Sequence, residues 1–267
     1  MFAVVRGAGD IASAIALRLV RSGISVVMTE VAKPLTVRRT VAFSEAVRLG
    51  KTQVEGIDAV LAKDVAQTAA LLEQGSVVPV LVDPECECLS LCPDVVVDAI
   101  LAKRNLGTTI DMAPVVVGVG PGFTAQVDCH AVVETMRGHT LGRVYYRGSA
   151  LPNTAVPGLV GGFAGERVLR APADGVFHEV SAIGDVVAQG QVAAYVDDAP
   201  VHATLNGVLR GLIAEGVPVT AGLKCGDVDP RGDASYCNLV SDKGLAVAGG
   251  VLEAVLHISG CLSSFGN

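Results

Sequence analysis

The stretch "VDCHAVVETMRGHTLGRV" holds the side chains best suited to proton transfer in this chain. Asp128, Glu134 and His139 are residue types that act as general acids or bases. Arg137 lies among them and could hold an anion through two parallel N–H bonds. The spacing therefore predicts that Asp128, Glu134 and His139 are catalytic. The alternative is a solvated strand and turn without a chemical role.

A glycine turn near the start, "VVRGAGDIASA", has the form of a phosphate-binding loop. Gly7 would make the tight turn, Gly9 would let an anionic group approach the backbone, and the next helix would offer free N–H groups. Glu30 ends the following apolar run, where a carboxylate could accept the hydroxyls of a ribose. Asp10 would repel a diphosphate unless it caps the helix or binds a metal.

Three further clusters follow apolar runs and could bind an anionic ligand: one around Arg39, one from Lys103 to Asn105, and the loop "GVGPGFTA". Ligands of open α/β sheets bind at the carboxyl ends of the strands, so residues just after such runs are candidates. The residues predicted to bind a cofactor are Gly7, Gly9, Asp10, Glu30, Arg39, Lys103, Arg104, Asn105, Gly120, Gly122, Thr124 and Arg137.

The cysteine-rich stretch "CECLSLC" places Cys86, Cys88 and Cys92 close together. Thiols so spaced could bind a soft metal or carry sulfur or selenium as a persulfide-type adduct. The alternative is three small buried or loop residues, because no second cysteine pair completes a zinc set. Asp227 and Asp229 could likewise bind a divalent ion or form an ordinary turn. No metal site is predicted.

Continuous apolar runs alternate with helical patterns over the first 147 residues. Runs such as "VVPVLVD" and "PVVVGVG" are typical of parallel strands buried on both faces. Helical segments such as "AKDVAQTAALLEQG" lie between them. This order predicts an α/β fold with a Rossmann-like, ligand-binding parallel-sheet domain over residues 1–147.

The second half contains an internal repeat. Residues 148–166 form a predicted Pro/Gly-rich linker. Beyond it, two similar segments begin at Ala171 and Ala203 and match at an offset of 32 residues, with Gly175 matched to Gly207. Glycine turns between short strands predict a small all-β, two-fold barrel-sandwich module of the biotinyl or lipoyl kind over 167–240, followed by a C-terminal helix and tail over 241–267. No lysine lies between Ala171 and Leu223, which excludes a carrier role.

Net charge, aromatic content and the length of apolar stretches argue against several classes of partner. The chain has 267 residues, 20 basic against 27 acidic, and a net charge of −7, which disfavours nucleic acid as a partner. Tryptophan is absent, so base-stacking surfaces are not expected. No apolar stretch is long enough for a bilayer span, so no membrane partner is expected. Seven cysteines without an export signal predict a cytoplasmic protein.

Several long motifs, in order along the chain, resemble one known family. They include "VVRGAGDIASAIALRLVRSGISVVMTE", "VDAILAKRNLGT", "GVGPGFTAQVD", "VETMRGHTLGRV" and "AVAGGVLEAVL". These motifs are similar to those of the YqeB-type accessory proteins of selenium-dependent molybdenum hydroxylases, and more distantly to XdhC-type molybdenum cofactor chaperones. The resemblance implies a bacterial maturation factor, with a molybdenum hydroxylase apoprotein or other maturation factors as partners. Cys86, Cys88 and Cys92 depart from the family pattern.

Three hypotheses about function follow. The leading one is a maturation factor for a selenium-dependent molybdenum hydroxylase that binds a phosphate-bearing ligand, with the molybdenum cofactor or NAD(P) as the candidate cofactor. The second is an NAD(P)-dependent oxidoreductase. The third is a non-catalytic adaptor that docks a partner through the β-module. Whether any reaction is catalysed, and whether the chain forms a homo-oligomer, are left open by the sequence.

Overall fold

The computed structural model describes residues 1–154, 156 and 158–261. Ala155 and Pro157 of the predicted linker, and residues 262–267 of the predicted tail, lie outside the described residues. The chain divides into two compact units that interleave along the sequence. Unit 1 comprises Met1–Ala32, Phe43–Thr154 and Val240–Asn267, and unit 2 comprises Lys33–Ala42 and Ala155–Leu239.

Unit 1 is built on a nine-stranded mixed sheet. Its strands are β1 (Phe2–Arg6), β2 (Ser25–Glu30), β3 (Lys51–Val54), β4 (Ile57–Ala62), β5 (Val78–Val82), β6 (Val95–Asp98), β7 (Val115–Val119), β8 (Ala131–Val133) and β9 (Val144–Tyr145). Their order is β3-β4-β5-β2-β1-β6-β7-β8-β9. The strands from β4 to β8 pair in parallel, whereas β3 and β9 pair antiparallel to their neighbours.

The helices of unit 1 cover this sheet. They are α1 (Asp10–Arg21), α2 (Glu45–Leu49), α3 (Val65–Gln74) and α4 (Asp242–Ile258). Helix α1 begins after Gly9 without a side-chain cap and ends before Gly23, which adopts a positive φ of 81°. The chain returns to unit 1 at Val240, and the last helix, α4, packs on α1.

Unit 2 consists of two four-stranded antiparallel sheets. Its strands are β10 (Val168–Arg170), β11 (Gly175–Glu179), β12 (Val186–Val187), β13 (Val192–Val196), β14 (Ala199–His202), β15 (Gly207–Leu212), β16 (Pro218–Val219) and β17 (Lys224–Asp229). The sheet orders are β10-β17-β15-β12 and β14-β13-β11-β16. The two repeat copies begin strands at equivalent positions, Gly175 for β11 and Gly207 for β15. Phe177, Leu209 and Leu212 lie in the buried core of this unit.

The expected fold class, a Rossmann-like parallel sheet followed by a barrel-sandwich module and a separate C-terminal helix, is wrong. The large sheet is mixed, because antiparallel strands form both of its edges. The β-rich unit is a pair of open four-stranded sheets that also includes residues 33–42, and the final helix is part of unit 1. The physical reason is that pairing at sheet edges and returns of the chain depend on distant contacts that local periodicity does not encode.

Among the described residues, no helix is long and apolar enough to cross a membrane.

Candidate functional site

Four loops of unit 1 meet at one edge of the large sheet. The neighbouring strands β1, β6, β7 and β8 are parallel, so the segments that follow them share the carboxyl edge. These segments are 7–10, 99–105, 120–124 and 134–142. We call this region the carboxyl edge. Both predicted glycine turns lie here, because one follows β1 and the other follows β7.

Close backbone approaches hold these segments together. A Cβ added at Gly122 would lie 2.7 Å from the Cα of Arg104, so the third segment packs directly on the second. A Cβ at Gly142 would lie 2.5 Å from the carbonyl oxygen of Ala246, which brings the fourth segment onto α4. A Cβ at Gly244 would lie 2.9 Å from the Cβ of Ala14, so the first turns of α4 and α1 are adjacent. The four segments and the two helix starts thus form one contiguous region.

Two lysines stand out at the carboxyl edge. Lys103 is exposed as a residue, yet desolvation of its ammonium group by the surrounding protein lowers its pKa. Lys243, in the first turn of α4, is half-buried, and burial is the main cause of its lowered pKa. The positive charge of Lys103 lowers the pKa of Lys243 further. Neither lysine forms a hydrogen bond or ion pair with a residue that the structure describes.

Carboxylates around the lysines offset part of this positive charge. Asp10, in the first turn of α1, raises the pKa of Lys243, as does Glu134. Arg137 lowers it, but the Arg137 guanidinium forms two hydrogen bonds with the carboxylate of Asp242, at 2.6 and 2.8 Å. Arg137 is therefore paired with a carboxylate of its own chain.

The backbone of the first glycine turn donates a hydrogen bond to a carboxylate of the same chain, that of Glu30. The N–H of Ala8 donates to Glu30 Oε2 at 3.0 Å, and the N–H of Val31 donates to Glu30 Oε1 at 2.8 Å. Burial raises the pKa of the Glu30 carboxyl, against these two hydrogen bonds. Gly7 adopts a φ of 92°, and a Cβ there would lie 3.1 Å from the carbonyl oxygen of Ala99, so the turn requires glycine. Glu30 thus closes the turn from Gly7 to Gly9.

The three residues predicted to be catalytic have separate structural roles. Glu134 is fully buried and accepts N–H bonds from Thr135, Met136 and Leu151 at 2.7–2.8 Å. Asp128 accepts the N–H of Thr124 at 2.7 Å. His139 is exposed. The structure therefore shows two carboxylates that hold loops and a surface histidine. No hydrogen bond joins any two of these three described residues.

Of the remaining residues predicted to bind a ligand, four lie in unit 1 and one, Arg39, lies in unit 2. Asn105 bonds the backbone of Thr108 at 2.8 Å and orders its own loop, while the Thr124 hydroxyl contacts the Ser149 hydroxyl at 3.0 Å. Arg104 is exposed at the carboxyl edge, and Gly120 packs against Thr135. Arg39 belongs to unit 2. There its guanidinium bonds the carbonyl oxygen of Leu212 and pairs with Glu179, both at 2.7 Å.

The cysteine cluster does not form a metal site among the residues that the structure describes. Cys86 and Cys88 are buried, whereas Cys92 is exposed. The hydrogen bond between Cys86 and Cys88 lowers the pKa of the Cys86 thiol and raises that of Cys88. Asp227 and Asp229, in unit 2, are engaged by the guanidinium groups of Arg210 and Arg231. Both carboxylates thus serve a buried ion-pair network.

Two features escape the sequence reasoning. Arg6, at the end of β1, is 4% exposed and pairs with buried Asp98 at 3.2 Å. The same guanidinium bonds the hydroxyl of Thr108 and the carbonyl oxygen of Leu106. The available signal was that both apolar strands, β1 and β6, end in a charged residue. Lys243 was missed because "SDKG" reads as an ordinary helix start.

Fold and site together define an α/β protein with a lysine-lined carboxyl edge in unit 1. The chain is 52% identical over 256 residues to the uncharacterized protein YqeB of Escherichia coli strain K12. The match covers 96% of this chain and 47% of YqeB, so the chain spans about half the length of this curated relative. The similarity to YqeB thus extends over most of this chain, where the motifs that resemble the YqeB type also lie. No family model matches the chain.

Solved structures with partial similarity are also known. An aspartoacylase family protein from Mesorhizobium loti is 13% identical, with 85% of this chain and 84% of that chain covered and a TM-score of 0.28. A succinylglutamate desuccinylase/aspartoacylase from Rhodobacter sphaeroides is 16% identical, with 85% and 84% covered and a TM-score of 0.26. The ectoine utilization protein EutE from Ruegeria pomeroyi matches over 31% of this chain and 27% of its own, at 16% identity and a TM-score of 0.22. At these TM-scores no activity is carried over.

The function expected from the sequence, a maturation factor that binds a phosphate-bearing ligand, is wrong, as are its NAD(P) oxidoreductase and adaptor alternatives. The donors on which the expectation depended are already used: the Ala8 N–H by Glu30, Arg137 by Asp242 and Arg39 by Glu179. Residue types at strand ends do not reveal which of them are neutralised within the chain.

Proposed function

We propose that the chain binds a small organic acid at the carboxyl edge of unit 1, with a carboxylate held by Lys103 and Lys243. The observation that carries this proposal is that these two ammonium groups lie close enough to repel each other and that neither has an ion-pair partner among the described residues. A carboxylate between them would favour the charged form of both lysines. The site would therefore gain electrostatic stability when the ligand binds.

The charge around the lysines favours a small acid over a polyphosphate. Asp242 neutralises Arg137, and Asp10 contributes a further negative charge beside Lys243. With these carboxylates present, the region has no large positive excess to match the several negative charges of a nucleotide. Exposure of Lys103 leaves the site open to a ligand from solution.

Isothermal titration calorimetry tests the proposal. Acetate, malonate, pyruvate, inorganic phosphate and NAD would each be titrated into the chain at low ionic strength. We expect saturable binding of at least one organic acid, weakened roughly tenfold by Lys103→Met and by Lys243→Met, because a hydrogen bond to a charged group contributes ~1.5–3 kcal/mol. Lys63→Met, in the turn before α3, is the matched control and should leave binding unchanged.

Two outcomes would contradict the proposal. One is that no organic acid saturates while phosphate or NAD does. The other is that Lys63→Met weakens binding as much as the two edge variants do.

We also propose a cytoplasmic location, which seven unpaired cysteines support because thiols persist in a reducing compartment. A molybdenum hydroxylase partner stays a prediction from the sequence resemblance alone.

A further inference from the structure

We propose that Cys86 and Cys88 are a redox-active pair of thiols that a small hydroperoxide oxidises to a disulfide. The two side chains form a hydrogen bond with each other, and the two residues are 2% and 0% exposed. This site adds a reversible two-electron reaction to the chain. It does not depend on the organic acid held by Lys103 and Lys243, because the two proposals share no residue.

A short turn after β5 holds the two thiols in contact. Asp83 Oδ1 accepts the N–H of Glu87 at 2.8 Å, and Asp83 Oδ2 accepts that of Cys88 at 2.9 Å. The N–H of Cys86 donates to the carbonyl oxygen of Asp83 at 3.2 Å. Cys86 adopts a φ of 63°, a left-handed conformation that few residues other than glycine take. The turn therefore fixes the backbone on both sides of the thiol pair.

Arg6 provides a positive charge on the Cys86 side of the pair. Arg6 is 4% exposed, its Nη2 donates to the carbonyl oxygen of Pro84 at 3.5 Å, and its Nε has no hydrogen-bond partner among the described residues. The hydrogen bond with Cys88, followed by the charge of Arg6, lowers the pKa of the Cys86 thiol against the effect of burial. Since the thiolate is the nucleophile, Cys86 is the sulfur that attacks the oxidant.

Asp83 acts on the other side of the pair. Its carboxylate forms a hydrogen bond with the Cys88 side chain in addition to the two backbone bonds. The hydrogen bond with Cys86, burial and the charge of Asp83 raise the pKa of Cys88, so Cys88 keeps its proton until Cys86 has reacted. Cys88 is then the second thiol, which closes the disulfide, and the Asp83 carboxylate is in contact with it to accept that proton.

The burial of the pair favours a small oxidant. Cys86 and Cys88 belong to a buried apolar cluster, against which Leu89 and Leu91 of the same turn also pack. Hydrogen peroxide is close in size to water, whereas a peptide disulfide such as glutathione disulfide is far larger than the turn that covers the thiols. A disulfide formed in this way is transient in a reducing compartment, because thiols there reduce it again.

The reaction balances with one hydroperoxide as the oxidant. Cys86 loses its proton, its sulfur forms a bond to one peroxide oxygen, and the O–O bond breaks. The departing oxygen takes the proton and leaves as water, which gives a sulfenic acid on Cys86. The Cys88 sulfur then forms a bond to the Cys86 sulfur, the S–O bond breaks, and the hydroxyl group leaves as water with the proton of Cys88. The two thiols lose two electrons, and hydrogen peroxide is reduced to two waters.

Mass spectrometry after treatment with hydrogen peroxide tests the proposal on the full chain. The background is Cys92→Ser with Cys261→Ser, which removes the two exposed thiols and leaves Cys86 and Cys88 as the cysteines of the tryptic peptide 64–103. We expect the intact mass to fall by two hydrogen atoms per chain and this peptide to resist alkylation. Dithiothreitol should restore the original mass and both free thiols.

Single substitutions in this background separate the roles of the two thiols. Cys86→Ser should abolish the mass decrease and leave Cys88 unoxidised. Cys88→Ser should instead leave Cys86 with added oxygen and no disulfide, because the second thiol is gone. Cys225→Ser, which removes a buried thiol of unit 2, is the matched control and should form the disulfide as the background does. Circular dichroism would verify that each variant is folded.

Four outcomes would overturn the proposal. The first is an unchanged mass in the background after peroxide treatment, which needs no substitution at either thiol of the pair. The second is a mass decrease that persists in Cys86→Ser, and the third is a peptide map that places the disulfide on Cys129 or Cys237. The fourth is a glutathione adduct on Cys86 that forms as readily with glutathione disulfide as the internal disulfide forms with peroxide.

Discussion

Lys243 shows how a side chain that the sequence does not single out gains a role when the fold brings it close to Lys103, which the sequence did single out. Each belongs to a short polar segment, "AKRN" or "SDKG", of a kind found on many protein surfaces. The fold brings them to one edge, where burial and mutual repulsion lower the pKa of Lys243. A lysine held charged under these conditions costs stability in the empty protein, and this cost is the expected mark of a binding site.

Replacing Lys103 by methionine should therefore stabilise the empty protein. A like-charge contact costs ~0.5–1 kcal/mol, so we expect the midpoint of thermal unfolding at neutral pH to rise by about 1–3 °C. Because the pKa of each lysine is lower in the folded chain, wild-type stability rises as the pH rises from the lowered folded value toward the ordinary lysine value. The advantage of the variant should fade over the same range.

Thermal unfolding at neutral pH and at pH ~10.5 would measure this effect, the upper value being the ordinary lysine pKa. Besides Lys103, the charged groups that act on Lys243 are Asp10, Glu134 and Arg137, and all are kept in this comparison. Lys63→Met is the control. A lower midpoint for Lys103→Met at neutral pH, or an equal gain at both pH values, would contradict the repulsion between the two lysines.

The Arg6–Asp98 pair gives a second prediction at the scale of single residues. Asp98→Asn would remove the negative charge beside Arg6, a residue that is 4% exposed and whose Nε already has no partner among the described residues. Breaking a buried ion pair from one side leaves an uncompensated charge, so the free energy of unfolding should fall by about 3 kcal/mol. Exposed Asp111→Asn should change it by less than about 0.5 kcal/mol. Equal effects in urea unfolding would argue against the buried pair.

Sequence reasoning identified many residues of the carboxyl edge but not their partners. Glu30, Arg137 and Glu134 lie at or just after strand ends. What the sequence does not reveal is that Glu30 accepts the Ala8 N–H, that Arg137 pairs with Asp242, and that Glu134 holds three backbone N–H groups. Such pairings join residues up to 105 positions apart, beyond the reach of local patterns.

At the scale of elements, α4 shows how glycines set the packing of a helix. Gly249 and Gly250 are consecutive, yet they meet different surroundings. A Cβ at Gly250 would overlap the carbonyl oxygen of Gly142, whereas a Cβ at Gly249 would meet nothing within 4 Å. The absence of a side chain at Gly250 therefore lets the segment 138–142 pack directly on the helix.

These two glycines form a matched pair for mutation. Alanine inside a helix is favoured over glycine by ~0.5–1 kcal/mol, so Gly249→Ala should raise the free energy of unfolding by about that amount. Gly250→Ala should instead lower it by about 1–3 kcal/mol, because the added methyl group must displace backbone. Urea unfolding of both variants measures the difference. The same sign of change at both positions would contradict the packing of α4.

The edges of the large sheet explain why the predicted fold class failed. Strand β3 is joined to β4 by a turn at Glu55 and Gly56, both with positive φ, at 44° and 84°. Glycine is usual in such a turn but glutamate is not, so the hairpin has a weak sequence signal. Strand β9 has only two residues and leaves no periodic pattern. The central parallel strands, such as β7 with five buried residues, are the part that continuous apolar runs predict.

For the whole molecule, the chain path matters more than sequence order. Residues 33–42 lie in unit 2 although unit 1 surrounds them in sequence, and α4 lies in unit 1 after the whole of unit 2. When domains are predicted by cutting the sequence where its composition changes, each domain is one continuous segment. Such a prediction cannot place residues 33–42 in unit 2 or α4 in unit 1. The match covers about half of YqeB, so a function of the whole of that protein does not transfer directly to this chain.

Cysteine reactivity offers a prediction for the whole molecule, because the fold divides the seven free cysteines into two classes. Cys92 and Cys261 are exposed and should react rapidly with a disulfide reagent such as DTNB. The other five are buried, and burial raises the pKa of Cys129 and of Cys225 to about 11, which slows thiolate formation. Two thiols should therefore react quickly in the native protein and seven after unfolding. Rapid reaction of more than two would contradict the described burial.

The most direct measurement is an NMR titration of the lysine side chains, with and without malonate. If two lysines hold a carboxylate, Lys243 should titrate below the ordinary lysine pKa of ~10.4 in the empty protein. Malonate should then raise the pKa of Lys243, because a bound anion favours the ammonium form. Titration of Lys243 at the ordinary value, unchanged by malonate, phosphate or pyruvate, would contradict the account.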